Sequence, residues 1–300
     1  MQAKFLGWCR DHSVEPKQPS SLLNFLAYGH ATLGWSFQAL ANYRSSILDM
    51  FEEREAILSF WPLKTFFQAV QESTIRADRS RPVDIQPIIQ HFHGLGPNHS
   101  MALLDLTMKL CWLLGVFGFM RPSDIERINL DESVCTTFSE KVILKVLAPK
   151  EKRLGQRIQK EIIIRQHDDP LLCPVPALKS YLSRHSHHPC RFPHPALPHV
   201  SIHYLLRDIR DCHRPVYAQR ISNHIKSVMS LLPTTRQSGR IRARALGSTR
   251  ALLAGASVDD VVTHGNWSNQ NIYNTFYRLS TETHSNFTSL VLGTSGSNSI

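Results

Sequence analysis

The sequence predicts a mainly α-helical chain with a small antiparallel sheet, arranged as a helical domain over residues 1–80 and a mixed, mostly helical domain over 81–300. Three observations predict it. Apolar residues recur at helical spacing through most of the chain. Only two short runs, Val142 to Ala148 (VILKVLA) and Lys160 to Arg165 (KEIIIR), have the composition of strands. Glu72 to Pro87 (ESTIRADRSRPVDIQP) is charged, carries two prolines and lacks periodic apolar residues, which marks a linker and a boundary near Arg81.

Taken in order, Ser21 to Phe51 reads as two helices, one with Leu22, Leu23, Phe25 and Leu26 on its apolar face, the other with Leu40, Tyr43, Ile47 and Leu48. The Gly29–Gly34 stretch separates them. A further helix covers Leu63 to Val70. Past the linker, Ile88 to His93 starts a helix that Gly94 to Pro97 closes. Met101 to Met120 is apolar almost all round, as a buried core helix is. Ser123 and Glu126 have capping-box spacing for the next helix. Between the two strands, PKEKRLGQRIQ forms an extended basic hairpin turn. Cys173 to Arg184 is a helix with Pro176 in its first turn, and the His- and Pro-rich stretch from His185 to His203 is a surface loop. Tyr217 to Leu232 is helical. Three short helices follow from Arg244, the second capped by Ser257 with Asp260 and the third by Ser268. Gly293 to Ile300 is a polar tail.

A formal charge of +10, with sixteen histidines in reserve, favours a polyanionic partner, either nucleic acid or an anionic membrane surface. The first twenty residues hold no apolar signal region, and the longest apolar run, Leu110 to Met120, is far short of the roughly 20 residues a spanning helix needs. Six cysteines without a CxxC pair read as reduced thiols. The expectation is a cytosolic or nuclear protein, neither secreted nor membrane-embedded. Phosphate-loop, serine-hydrolase, zincin and Rossmann patterns do not occur, so those chemistries have no support. The nine His and Cys residues between His185 and His213 follow no standard zinc spacing.

The stretch with the most chemistry runs from Arg240 to Arg278, RIRARALGSTRALLAGASVDDVVTHGNWSNQNIYNTFYR. Breaking a phosphodiester without a metal needs a nucleophile, cations for the non-bridging oxygens and an acid for the leaving oxygen. Arginine suits the second role, because its planar fork grips phosphate and stays charged. Tyrosine suits the first, because it yields a covalent phosphotyrosine that stores the bond energy. Arg244 opens an apolar helix, which sets its head near that helix's N-terminus, although Arg240, Arg242 and Arg244 also fit a solvated basic face. Tyr277 lies beside the Ile272–Phe276 face of the last helix, with Tyr273 one turn earlier as its rival. Arg121 follows the apolar core helix and needs a partner for its buried charge, either Asp124 or a phosphate. Lys150 sits on the hairpin as a candidate general acid, with Lys145 and Lys152 as rivals.

Together GFMRPSDIERI, the lysine hairpin, RARALGSTRALLAG and GNWSNQNIYNTFY resemble the catalytic domain of the tyrosine recombinases, the phage integrase family. The similarity extends to the eukaryotic Crypton and DIRS-type mobile-element branch through LLCPVPALKSYL and LGPNHSMALLDLTMKLCWLLG. The helices of Ser21 to Phe51, with the NYRSSI turn, resemble the core-binding domain that precedes it. The resemblance implies DNA cleavage and rejoining through a 3′-phosphotyrosine, with no metal, cofactor or ATP. It assigns Arg121 and Arg244 as the two catalytic arginines, Lys150 as the acid, Trp267 as the donor at the His/Trp position, Tyr277 as the nucleophile and Asp124 as the supporting acidic residue. The spacing of Tyr277 from Trp267 matches the eukaryotic members better than that of Tyr273. Tyr43, Arg44, Lys152, Arg153, Arg240 and Arg242 are the expected DNA contacts. Double-stranded DNA is the implied partner, usually bound by tetramers, and affinity should fall steeply with salt. The chain departs from the family at Ile241, where a histidine usually stands three positions before the second arginine. Isoleucine can neither donate to phosphate nor take a proton. A domesticated copy that binds DNA without cutting it is therefore the alternative. The short stretch before the first expected helix suggests that part of the usual N-terminal region is missing.

Overall fold

The computed structural model describes residues 1–73, 83–134, 140–185, 189–233, 241–280, 282, 285 and 291. The chain divides into two compact units, Met1–Ala77 and Asp78–Ile300. The expected boundary residue Arg81, most of the linker, Arg240 and the tail beyond 292 lie outside the described residues.

Among the described residues the first unit is five helices: α1 (Gln2–Asp11), α2 (Pro19–Ala31), α3 (Phe37–Leu48), α4 (Arg54–Ser59) and α5 (Trp61–Ser73). Phe5, Leu22, Phe25, Leu26, Leu40, Ile47, Leu63 and Phe67 form its core. Helix α1 was not expected from the sequence, although Phe5 and Cys9 carry the i, i+4 spacing that buries it. NYRSSI is not a turn but part of α3, which Ser36 caps by accepting the Ala39 N–H at 3.3 Å. Gly29 is required where Trp35 crosses α2, since a Cβ there would lie 2.1 Å from the indole.

The second unit is built around α7 (Leu103–Phe117), whose residues Leu106, Leu110, Cys111, Trp112, Leu113 and Leu114 are all buried. Before it comes α6 (Gln86–Gly94), and after it the short α8 (Pro122–Glu126). Strands β1 (Lys141–Arg153) and β2 (Gln156–Arg165) pair antiparallel, longer than the two apolar runs predicted. Most of the basic segment is thus strand rather than turn. Helix α9 (Pro174–Ser183) follows. The His- and Pro-rich stretch is not simply a loop: Arg191–His194 (β3) and Leu197–His203 (β4) form a second hairpin. Helices α10 (Ala218–Met229) and α11 (Ala243–Leu253) pack on α7 with α9, and α12 (Val258–Gly265) and α13 (Gln270–Phe276) close the unit. Asn269, not Ser268, caps α13 by accepting the Ile272 N–H at 2.9 Å. No helix among the described residues is long and apolar enough to cross a membrane.

Two features of this frame place the site. Gly247 lets α11 approach α7, where a Cβ would meet the Val116 carbonyl oxygen at 1.9 Å. The β1–β2 register shifts between Leu147, opposite Gln159, and Lys152, opposite Arg157. The residues between them on β1 form a bulge, with Ala148 at φ 40°. Arg127 donates to the Ala148 carbonyl at 3.0 Å and His194 Nε2 to the Leu147 carbonyl at 3.2 Å, which hold the bulge. It carries Lys150 and Glu151.

Candidate active site

Arg121 ends the connection from α7 and is the N-cap of α8. Its backbone N–H donates to Asp124 Oδ2 at 3.1 Å, so Asp124 holds the backbone of Arg121, not its guanidinium, and Ser123 with Glu126 does not form the cap. The guanidinium donates from one nitrogen to Glu151 Oε1 and from the other to Tyr277 Oη at 3.1 Å. Arg244, in the first turn of α11, is 4% exposed. One of its nitrogens donates to the Gly265 carbonyl at 2.5 Å, and Nη1 lies 3.6 Å from Glu151 Oε1. Its Nε and Nη1 have no hydrogen-bond partner among the described residues. Unsatisfied buried donors cost roughly 1–3 kcal/mol each, a cost that an arriving anion would remove.

Tyr277 follows α13 and is nearly buried. Thr249 Oγ1 donates to its carbonyl at 3.1 Å and accepts the Leu279 N–H at 2.8 Å, so the helix that carries Arg244 also fixes Tyr277. Arg244 lies over the Tyr277 ring at 4.8 Å and over the Trp267 ring at 4.4 Å. The rival Tyr273 is fully buried and donates to the Ser248 carbonyl at 3.3 Å. The buried face of α13 is therefore the Tyr273 side, while Phe276, expected on the apolar face, is 62% exposed.

Trp267 packs against Tyr277 at 4.9 Å and Phe119 at 6.0 Å. Its indole N–H is buried with no partner among the described residues. Asn266, left-handed at φ 57°, turns the chain after α12, and a Cβ on Gly265 would strike the Trp267 ring at 1.9 Å. Arg153 donates to the Asn266 carbonyl at 3.1 Å, tying β1 to this turn.

Arg121, Lys150, Glu151, Arg242, Arg244 and Tyr277 line one cleft of about 1100 Å³, with Ile241 and, from α10, Gln219, Ser222 and Lys226. Lys150 and Arg242 are exposed there. Lys145 is paired with Glu161 and is not among the cleft residues, and Lys152 is exposed outside it. His264 is not among the cleft residues, and its Nε2 bonds the Phe117 carbonyl at 2.7 Å. In the first unit Tyr43 stacks on Trp35 at 4.0 Å and Arg44 lies over Phe67 at 4.2 Å.

Two residues of the site escape the sequence reading. Glu151 joins the two arginines. Lys160, on β2, is fully buried with Nζ 3.4 Å from Asp124 Oδ2. A signal for Lys160 exists, since it shares strand parity with the buried Ile162 and Ile164. Charges in this cluster shift one another. Burial opposes ionisation of Glu151, but Arg121 and Lys160 outweigh it and hold the carboxyl below its usual range. Burial likewise opposes the charge of Arg121, and Glu151, Tyr277 and Asp124 reverse that and raise its pKa. Arg244 is pushed down, by burial first and by Arg121 second. Burial lowers Lys160 despite Asp124.

Elsewhere, His203 pairs with Asp131 at 2.9 Å. Among the described residues no three His, Cys, Asp or Glu side chains converge as a metal site, and His187 and His188 lie outside them.

No protein-family model and no curated protein matches the chain. Among solved structures it is similar to the Tn1549 transposon integrase in complex with circular intermediate DNA, at 12% identity over 93% of this chain and 86% of that one, with a TM-score of 0.54. It is also similar to the XerH site-specific recombinase bound to palindromic difH substrate in a post-cleavage complex, at 12% identity over 87% and 69% of the two chains, with a TM-score of 0.52. These likenesses define the fold: a mainly helical chain with small antiparallel sheets, folded as the tyrosine recombinases are.

Proposed function

We propose that the chain is a site-specific tyrosine recombinase or integrase, which cleaves and rejoins double-stranded DNA through a 3′-phosphotyrosine on Tyr277 without metal, cofactor or ATP. One observation carries this most: a tyrosine hydroxyl 3.1 Å from a guanidinium whose other nitrogen shares an anion with a second, nearly buried arginine. That is the geometry for attack on a phosphorus whose non-bridging oxygens the two forks hold. The Tyr277 Oη–P bond forms as the P–O5′ bond breaks. Lys150, exposed in the cleft, gives the leaving oxygen its proton, and the phenolic proton passes to solvent. Rejoining is the reverse. Arg244 and Trp267 brace the nucleophile's ring, Asp124 fixes the backbone of Arg121, and Arg242, Lys152 and Arg153 lie along the duplex.

In the same reading residues 1–80 are a core-binding domain contacting DNA through Tyr43 and Arg44, and 81–300 are the catalytic domain, assembling as a tetramer on DNA. The resemblance of LLCPVPALKSYL and LGPNHSMALLDLTMKLCWLLG to Crypton and DIRS-type segments is read from the sequence alone, and on it the proposal extends to a mobile-element origin and a nuclear location in a eukaryote. The fold shared with DNA-bound recombinases supports the DNA partner. A DNA-binding protein that does not cut is the second reading, and Ile241 in the cleft favours it.

The test is covalent trapping in EDTA on a library of nicked duplexes. A covalent band that survives denaturation, persists in Tyr273→Phe and vanishes in Tyr277→Phe supports cleavage. Salt-sensitive binding with no band at all supports the second reading.

A further inference from the structure

The arginine pair is not vacant, and its occupant is the chain's own carboxylate. Glu151 Oε1 accepts from Arg121 and lies 3.6 Å from Arg244 Nη1, with its side chain only 12% exposed. Its Oε2 is buried without a hydrogen-bond partner among the described residues, as are Nε and Nη1 of Arg244. Donors and an acceptor are thus left unsatisfied within one cluster, which is the mark of an imperfect ligand in a site shaped for another. A phosphate presents more acceptor oxygens to the same forks and would meet those donors. Carboxylate and phosphate cannot share the pair, because both are anionic and use the same nitrogens. The bulge that carries Glu151 is anchored at Leu147 and Ala148 and unpaired with β2 up to Lys152, so its side chain can leave without unpairing the strands on either side.

We propose that Glu151 is a specificity-determining residue, the resident ligand of the Arg121–Arg244 pair, which closes the pair to free anions and yields to a phosphodiester carried on a polymer. The polymer supplies what a free anion lacks: further contacts along the cleft from Lys150, Arg242 and Lys226. Anion binding here is an exchange, and its apparent affinity is lowered by the fraction of molecules in which Glu151 holds the site. The inference rests on reading this cleft as a phosphate site. It does not require that Tyr277 cut DNA.

The test is calorimetric titration of the full chain with inorganic phosphate, comparing the unaltered protein, Glu151→Gln and Glu161→Gln. Glu161 pairs with Lys145 on the same hairpin and is not among the cleft residues, so its variant controls for the loss of one negative charge. Glu151→Gln should bind phosphate at least about tenfold tighter than the unaltered protein, the factor for a site filled nine-tenths of the time, and Glu161→Gln should not. Duplex affinity should change less than phosphate affinity, so discrimination between the two narrows. Equal phosphate affinity in all three proteins, or an equal gain in both variants, overturns the proposal. If Glu151→Gln does not fold, Glu151→Asp decides: its shorter carboxylate reaches the pair less well and should tighten phosphate binding, and no gain overturns it. The failures are separable. A phosphate gain without any covalent DNA adduct removes the recombinase reading and leaves the role of Glu151 standing, while an adduct on Tyr277 without a phosphate gain does the opposite.

Discussion

Replacing Asp124 with asparagine probes the centre of the site and its structural support together. Asp124 is fully buried, and one oxygen, Oδ2, accepts both the Arg121 N–H at 3.1 Å and Lys160 Nζ at 3.4 Å. Asparagine keeps an acceptor for the backbone but leaves the Lys160 ammonium, 0% exposed, without its nearest counter-charge. Breaking a buried pair from one side costs about 3–5 kcal/mol, because the remaining charge stays out of water. For a unit the size of Asp78–Ile300, that is a fall in Tm of about 6–20 °C. Lys160→Met removes the other charge, and the double variant should lose less than the sum of the two single losses by about 2 kcal/mol. Calorimetry and urea unfolding of the four proteins measure the cycle. A single-variant loss under about 1 kcal/mol, or strict additivity, would falsify the claim that Lys160 and Asp124 form a buried pair supporting Arg121.

Other outcomes follow from the same geometry. Gly247→Ala should cost about 1–3 kcal/mol by pushing α11 off the Val116 carbonyl, and it should weaken the site through Arg244; a thermal melt matching the parent protein excludes this. Burial holds the Lys109 amine, bonded to Asn98 Oδ1 at 2.8 Å, down to about 8, with Asp169 opposing the shift. The unfolded chain keeps that proton up to about 10.5, so between these values the unfolded state binds more protons and stability rises with pH. Lys109→Met should flatten that rise in urea midpoints, and an unchanged slope refutes the assignment. Ile241→His places a proton-carrying donor in the cleft and should speed covalent complex formation by up to about 10²-fold. No change in rate would show that the cleft does not use a histidine there.

Much of this was legible because its signals are local. Helix α7 announces itself by being apolar all round, and Arg121 stands out as a charge at its exit. Arg244 lies in the first turn of one short helix and Tyr277 just past the end of another, and the order and spacing of those helices are readable in the sequence. The roles of Asp124 and Glu151 depend on distance contacts instead. The sequence offers Asp124 as the partner of the Arg121 guanidinium, and the bulge gives that place to Glu151. A bulge that begins with Ala148 at a left-handed φ leaves no glycine to mark it. The hairpin of β3 and β4 was hidden by Pro193 and Pro198, which tilt composition toward loop, though Phe192 and Ile202 face each other in its register.

The central claim is that Tyr277 attacks a DNA phosphorus. The most direct measurement digests the trapped covalent complex with nuclease and protease and locates the residual nucleotide by mass spectrometry. The account predicts a 3′-linked nucleotide on the peptide bearing Tyr277, formed in EDTA and lost in Arg121→Lys, whose ammonium cannot bridge the phenol and an anion as the fork does. A nucleotide on Tyr273 or on any other residue, or an adduct undiminished by Tyr277→Phe, would contradict it.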